Sequence, residues 1–130
     1  MVKFGYTILY VNDVTKSIEF YEKAFGFTRK FITPDNDYGE LATGDTTISF
    51  ASHTLAASNL KDGFIPSELS DKPFAIELGF VTDDVNGIFE VAAENGATKV
   101  AEPKQKPWGQ TVAYLRDIDG FLIEICTPMG

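Results

Sequence analysis

Glu77 stands inside the β-rich run FAIELGFV and Glu124 inside FLIEIC, each between apolar neighbours. Strand propensity disfavours a carboxylate there, and burial is costly without a partner, so each needs a nearby lysine or arginine or else a use. If both face one space, their like charges raise the pKa of at least one. The result is a proton donor and acceptor near neutrality and a strong attraction for a cation. Trp108, in Pro107-Trp108-Gly109, offers a flat rigid surface for stacking a ring or a cation, or else caps the edge of the core. Ser49 lies in a β-rich run with no histidine placed to activate it as a nucleophile, and as a structural residue it is a small filler. His53, the only histidine, follows Ser52 at a strand end and is expected in a solvated loop. Asp117-Ile118-Asp119-Gly120 is too short for a twelve-residue calcium loop and suits a hairpin turn.

The elements that position these residues repeat. GYTILYV reads as a strand, Asn12-Asp13 as a helix cap, and Val14, Ile18, Tyr21 and Phe25 as the buried stripe of a helix over about 13–25 that Gly26 ends. TRKFITP, DYGELATG and TTISFAS follow as a three-stranded meander with turns at 34–37 and 44–45. Residues 54–73 show neither period and read as a linker. The pattern then restarts: FAIELGFV, a cap at Asp83-Asp84, a helix carrying Val85, Ile88, Phe89 and Ala92 that Gly96 closes, then KVAEP, QTVAYLR and FLIEIC. Tyr6 against Glu77, Asp13 against Asp84, Val14 against Val85 and Glu19 against Glu90 all differ by 71 positions, the mark of an internal duplication. The expected fold class is α+β: tandem βαβββ modules forming curved mixed sheets around a cavity. Module one is 1–53, the linker 54–73 and module two 74–130, all within a single domain.

Strand parity sorts the two faces. Leu9, Val11, Ile48, Phe50, Leu78, Phe80, Ile123 and Ile125 share an apolar parity and are assigned to the helix side. Tyr6, Ile8 and Tyr10, Thr47 and Ser49, Glu77 and Gly79, and Leu122 and Glu124 form a mixed polar and aromatic face of the kind that lines ligands.

Composition bounds the function. A chain of 130 residues with 44% hydrophobic content buries a core without disulfides or metal. The single cysteine, Cys126, makes no internal bridge and is expected as a buried small hydrophobe in a reducing, cytoplasmic compartment. A net charge of −8 argues against a nucleic-acid partner. The N-terminal apolar stretch is too short for a signal peptide or membrane span.

The opening YTILYVNDVTKSIEFYEKAFGF and the closing PWGQTVAYLRDIDGFLIEICTP resemble the first βα unit and the last hairpin of the vicinal-oxygen-chelate superfamily of glyoxalases, bleomycin-resistance proteins and extradiol dioxygenases. The resemblance implies a glyoxalase/bleomycin resistance-like fold, a ligand cavity and a homodimer. Metal-dependent members similar to glyoxalase I carry four ligands at positions that fall on Tyr6, Ser49, Glu77 and Glu124, without the usual histidines. The implied reading is therefore metal-free binding of a small aromatic or cationic molecule in an acidic cavity, as drug-resistance members do, with no cofactor. Its ligand-binding residues are Tyr6, Tyr10, Ser49, Glu77, Trp108, Tyr114 and Glu124. The alternative is a glyoxalase-type lyase or isomerase with Glu77 and Glu124 as catalytic acid and base around a weakly held Mg²⁺ or Mn²⁺.

Overall fold

The computed structural model describes residues 1–129. Its elements run β1 (Thr7–Val11), α1 (Val14–Phe25), β2 (Thr28–Ile32), β3 (Tyr38–Ala42), β4 (Thr47–Ser52), α2 (His53–Asn59), β5 (Glu77–Val81), α3 (Val85–Glu94), β6 (Thr98–Gln105), β7 (Thr111–Arg116) and β8 (Leu122–Cys126). The strands form two four-stranded mixed sheets with the same internal order, β1-β4-β3-β2 and β5-β8-β7-β6. In each, the first strand pairs parallel with the last and the remaining pairs are antiparallel. This is the duplicated α+β arrangement that the 71-residue shift implies.

The chain divides into two compact units, Met1–Pro66 and Ser67 onward. In the first, Asp13 caps α1 by accepting from Lys16 N, and Gly26 ends the helix at φ 72°, in the left-handed region that glycine adopts without strain. α1 buries Val14, Ile18 and Tyr21, and the Tyr21 ring packs 5.3 Å from that of Phe50 on β4. Gly39 on β3 admits this packing: a Cβ there would lie 2.5 Å from Ile18 Cδ1. Leu9, Val11, Leu41, Ile48 and Phe50 complete the core; β3 alternates as parity requires, whereas on the interior strand β4 all four residues from Ile48 to Ala51 are buried.

The second unit repeats the scheme with Asp84 capping α3 through Gly87 N. Phe89, Val85 and Ala92 are buried, as are Leu115, Ile123 and Ile125. Asn95 caps the far end of α3, with Gly96 following at φ 113°. Leu78 and Phe80, assigned to the helix side, are only half-buried, unlike Leu9 and Val11 on the equivalent edge strand β1, against which α2 also packs.

Two expectations need correction. The stretch 54–73 is not featureless: its first residues belong to α2, a helix of seven residues capped by the Ser52 side chain, and the unit boundary falls at 66/67. His53 accordingly opens α2, half-buried, with its ring 5.8 Å from that of Phe64. Helix periodicity is invisible over two turns, and a serine cap directly after a strand resembles a strand end.

The Asp13 cap also titrates. The Lys16 backbone N–H, and with it the Asn36 amide, holds the Asp13 carboxyl below its ordinary value against the opposing effect of burial. A depressed carboxyl contributes stability above its unfolded pKa and loses it as pH falls through the folded value. Asp13→Ala is expected to cost about 1 kcal/mol at neutral pH, as cap deletions do. In urea titrations, the gap from wild type should close in acid.

Candidate functional site

On β8, Glu124 pairs with Gly79 of β5 on one side and Tyr114 of β7 on the other; Glu77 pairs with Leu122. Glu77, Glu124, Cys126 and Tyr114 thus share the face turned away from α3, with the two carboxylates diagonal across a parallel pair. Glu77 is exposed, yet partial desolvation at the sheet pushes its carboxyl up, and the Glu124 charge and a hydrogen bond between the two carboxyls push it further. Burial likewise raises the Cys126 thiol and the Tyr114 phenol, with Glu124 adding to both. Glu77 therefore holds its proton more tightly than an ordinary glutamate does.

The plain alternative, a lysine or arginine partner, does not hold for either residue. The ion pairs among the described residues are Arg29–Glu22, Lys30–Glu40 and Lys99–Glu90. Arg116 does lie in the row of Glu77, paired with Leu122, but its guanidinium is committed elsewhere. It donates to the main-chain carbonyls of Gly120 (2.9 Å), Glu68 (3.0 Å), Leu69 (3.2 Å) and Asp71 (2.8 Å).

The corresponding face of the first unit carries Tyr6, Ile8 and Tyr10, with Ile8 paired to Ser49 and Ser49 to Glu40. The row Ile8–Ser49–Glu40 therefore occupies in the first sheet the place of Gly79–Glu124–Tyr114 in the second. Tyr38 donates to Glu40 Oε2 at 2.7 Å, and Lys30 Nζ lies 3.9 Å from Glu40 Oε1 and 2.7 Å from Thr47 Oγ1. Burial raises the Tyr38 phenol to about 12; a hydrogen bond with Ser49 opposes this, and the contact with Glu40 adds to it. Ser49 itself is fully buried beside the Tyr38 phenol. Tyr10 packs edge-on to Phe64 at 4.9 Å.

Trp108 is 64% exposed in the turn between β6 and β7, where its Nε1 donates to Gln110 Oε1 at 2.8 Å and Gln110 in turn bonds Thr127 O. It borders a surface depression of about 640 Å³ with Lys104, Lys106 and Pro107, and its contacts stay within that turn. The core-cap alternative does not hold at this exposure. Sequence reasoning missed Tyr38, Glu40 and Lys30; the alternation in DYGELATG, extended to the ligand-facing parity, would have exposed the first two.

No three histidine, cysteine, aspartate or glutamate side chains among the described residues converge where a metal ion could be held. Glu77 and Glu124 supply two hard oxygen ligands and no imidazole, a set that does not fit a borderline transition metal.

The geometry has close relatives. Residues 4–130 match the model of the Glyoxalase-like domain, and the chain belongs to that family, within the superfamily of glyoxalases, bleomycin-resistance proteins and dioxygenases. It is 30% identical over 120 residues to YraH, an uncharacterized protein of Bacillus subtilis (strain 168), spanning 90% of this chain and 91% of that one. Among solved structures it resembles a glyoxalase/bleomycin resistance protein/dioxygenase family enzyme from Burkholderia phytofirmans PsJN, at 26% identity and TM-score 0.81, covering 97% of this chain and 98% of that one. A superfamily member from Sphaerobacter thermophilus DSM 20745 shares the fold at 22% identity and TM-score 0.72, covering 98% and 99%. No described helix is long and apolar enough to cross a membrane.

Proposed function

We propose that the protein binds a small organic cation, with an aromatic or apolar body, through Glu77 and Glu124, without a metal or other cofactor. One observation carries the reading: two neighbouring carboxylates, on a face away from the helix and beside Tyr114, have each other rather than a lysine or arginine as partner. Such a pair is electrostatically frustrated when both members are ionised, and a bound ammonium group relieves the repulsion while Tyr114 offers a ring to its body. Sequestration of this kind accords with the drug-resistance branch of the superfamily and needs no chemical step. The free edge of β5, with Ile76 and Val81 exposed, supports a homodimer in which a second copy covers the site.

Benzylammonium is expected to raise Tm in a concentration-dependent way by mass action, benzoate to leave it unchanged, and EDTA to change neither result. Equal responses to benzylammonium and benzoate would refute the cationic reading. Loss of the benzylammonium response in EDTA would restore the metal-dependent alternative.

A further inference from the structure

The chain carries 19 acidic residues against 11 basic ones, yet the depression of about 640 Å³ at the β6–β7 turn reverses that balance. Its lining is Lys104, Gln105, Lys106, Pro107, Trp108 and Gly109, with two lysines and no carboxylate. Among the described residues neither ammonium has an ion-pair partner, since the pairs formed are Arg29–Glu22, Lys30–Glu40 and Lys99–Glu90. Lysines on an edge strand such as β6 guard it against pairing with another chain, which accounts for Lys104. It does not account for Lys106, which lies past the end of β6 and is half-buried.

The turn is also held in one shape. Lys106 N donates to Gln110 O and Gly109 N donates to Lys106 O, with Gly109 at φ 97°. The Trp108 indole is fastened through the Gln110 side chain to the Thr127 carbonyl, beyond β8. Its N–H is used in that relay, so what Trp108 offers to a ligand is its ring face. A fixed aromatic surface and two unpaired ammonium groups around one hollow make a preformed seat for a flat anion, with little ordering left to do on binding. Two cations also call for more than one negative charge. A carboxylate such as benzoate carries one, whereas a phosphate monoester carries close to two near neutrality, on oxygens that lysine binds as a point charge.

We propose that the depression at the β6–β7 turn is a binding site for an aromatic phosphate, a planar ring bearing a phosphate monoester. The ring stacks on Trp108 and the phosphate is held by Lys104 and Lys106. The site shares no residue with the acidic pair and selects the opposite charge. An aryl phosphate and a nucleoside monophosphate share this chemistry, and the test separates them.

Trp108 is the only tryptophan in the chain, so tryptophan fluorescence reports on this site alone. AMP and phenyl phosphate are titrated into wild type and into the double variant Lys104→Gln/Lys106→Gln. Adenosine serves as the ring without the phosphate, and inorganic phosphate as the phosphate without the ring. AMP is expected to change the wild-type fluorescence saturably, and the double variant to weaken it about tenfold or more, the effect of losing contacts to a charged group. Adenosine should bind at least about tenfold more weakly than AMP, and added salt should weaken AMP because the lysines face solvent. The double variant should keep the wild-type Tm, since neither lysine is part of an ion pair that holds the fold. A response to AMP but not to phenyl phosphate would support a nucleotide ligand, and the reverse an aryl phosphate. The proposal is overturned if neither phosphate gives a saturable change, if affinity is indifferent to the lysine substitutions, or if adenosine binds as tightly as AMP. Glu124→Gln, which tests the acidic pair, should leave AMP binding unchanged, so failure of one reading is distinguishable from failure of the other.

Discussion

Arg116→Ala is expected to lower the melting temperature by about 10–15 °C, the largest loss from any single polar side chain in the protein, corresponding to about 3–4 kcal/mol. Arg116 is 8% exposed, and its guanidinium binds four main-chain carbonyls, three of them in the segment 68–71 and one at Gly120 in the β7–β8 turn. Hydrogen bonds from a charged donor are worth more than neutral ones, and here all four are lost together, although the loop carbonyls regain water in part. Arg116→Lys should recover little, because one ammonium cannot span the four positions that the planar guanidinium reaches. Gly120 is part of the same knot. It sits at φ 94°, and a Cβ there would come within 2.9 Å of the Glu68 carbonyl carbon and 3.0 Å of Arg116 Nη2. Gly120→Ala should therefore destabilise the same contacts, and the double variant should lose less than the two singles added, since both break one network. Hydrogen exchange gives the local reading: in Arg116→Ala, the Asp71 amide, which donates to Glu68 O, should exchange faster than amides of α1. An Arg116→Ala protein melting within a few degrees of wild type would show that segment 67–71 contributes nothing to the fold of the second unit.

That network also marks where sequence reasoning stops. The duplicated strand–helix–meander pattern was legible because strand alternation, helix stripe and cap are local signals, and because the second copy repeats them. Asp13 and Asp84 both cap helices, and the parity assigned to Leu9, Val11, Ile123 and Ile125 is the buried one. Arg116 gave no such signal. Three of its four partners are backbone carbonyls more than forty positions upstream, which no side-chain pattern encodes. The α2 helix was hidden for the opposite reason, being too short to show a period. Of the candidate site, Glu77 and Glu124 were readable because a carboxylate is conspicuous in a strand. Tyr38 and Glu40 were not read, because a tyrosine and a glutamate in a strand next to glycine look like an ordinary solvated meander. That Ser49 is fully buried is a property of three dimensions alone.

The acidic pair carries the second large effect, visible in both binding and pH dependence. Glu124→Gln should weaken benzylammonium about tenfold or more, the loss expected when a bond to a charged group is replaced by one to a neutral amide, and the double variant with Glu77→Gln should abolish it. The raised Glu77 carboxyl fixes the direction of the pH effect. Glu77 is raised above its ordinary value, chiefly by burial and then by Glu124, so the folded protein binds this proton more tightly than the unfolded chain does. Its contribution to stability is therefore complete below the unfolded pKa and is lost as pH rises through the raised, folded value. Above that value both carboxylates are ionised and repel each other, which weakens the fold but strengthens cation binding. Affinity for benzylammonium should accordingly increase as pH rises above the ordinary carboxylate range, with net release of a proton on binding. In Glu77→Gln both trends should flatten. That variant should melt above wild type at pH 8 and converge on it towards pH 4, and added salt should shrink the difference because Glu77 is largely exposed. Calorimetry in buffers of different ionisation enthalpy measures the released proton directly. Cation binding with no proton release and no dependence on pH would mean that the two carboxylates act separately, and the Glu77 proton would drop out of the mechanism.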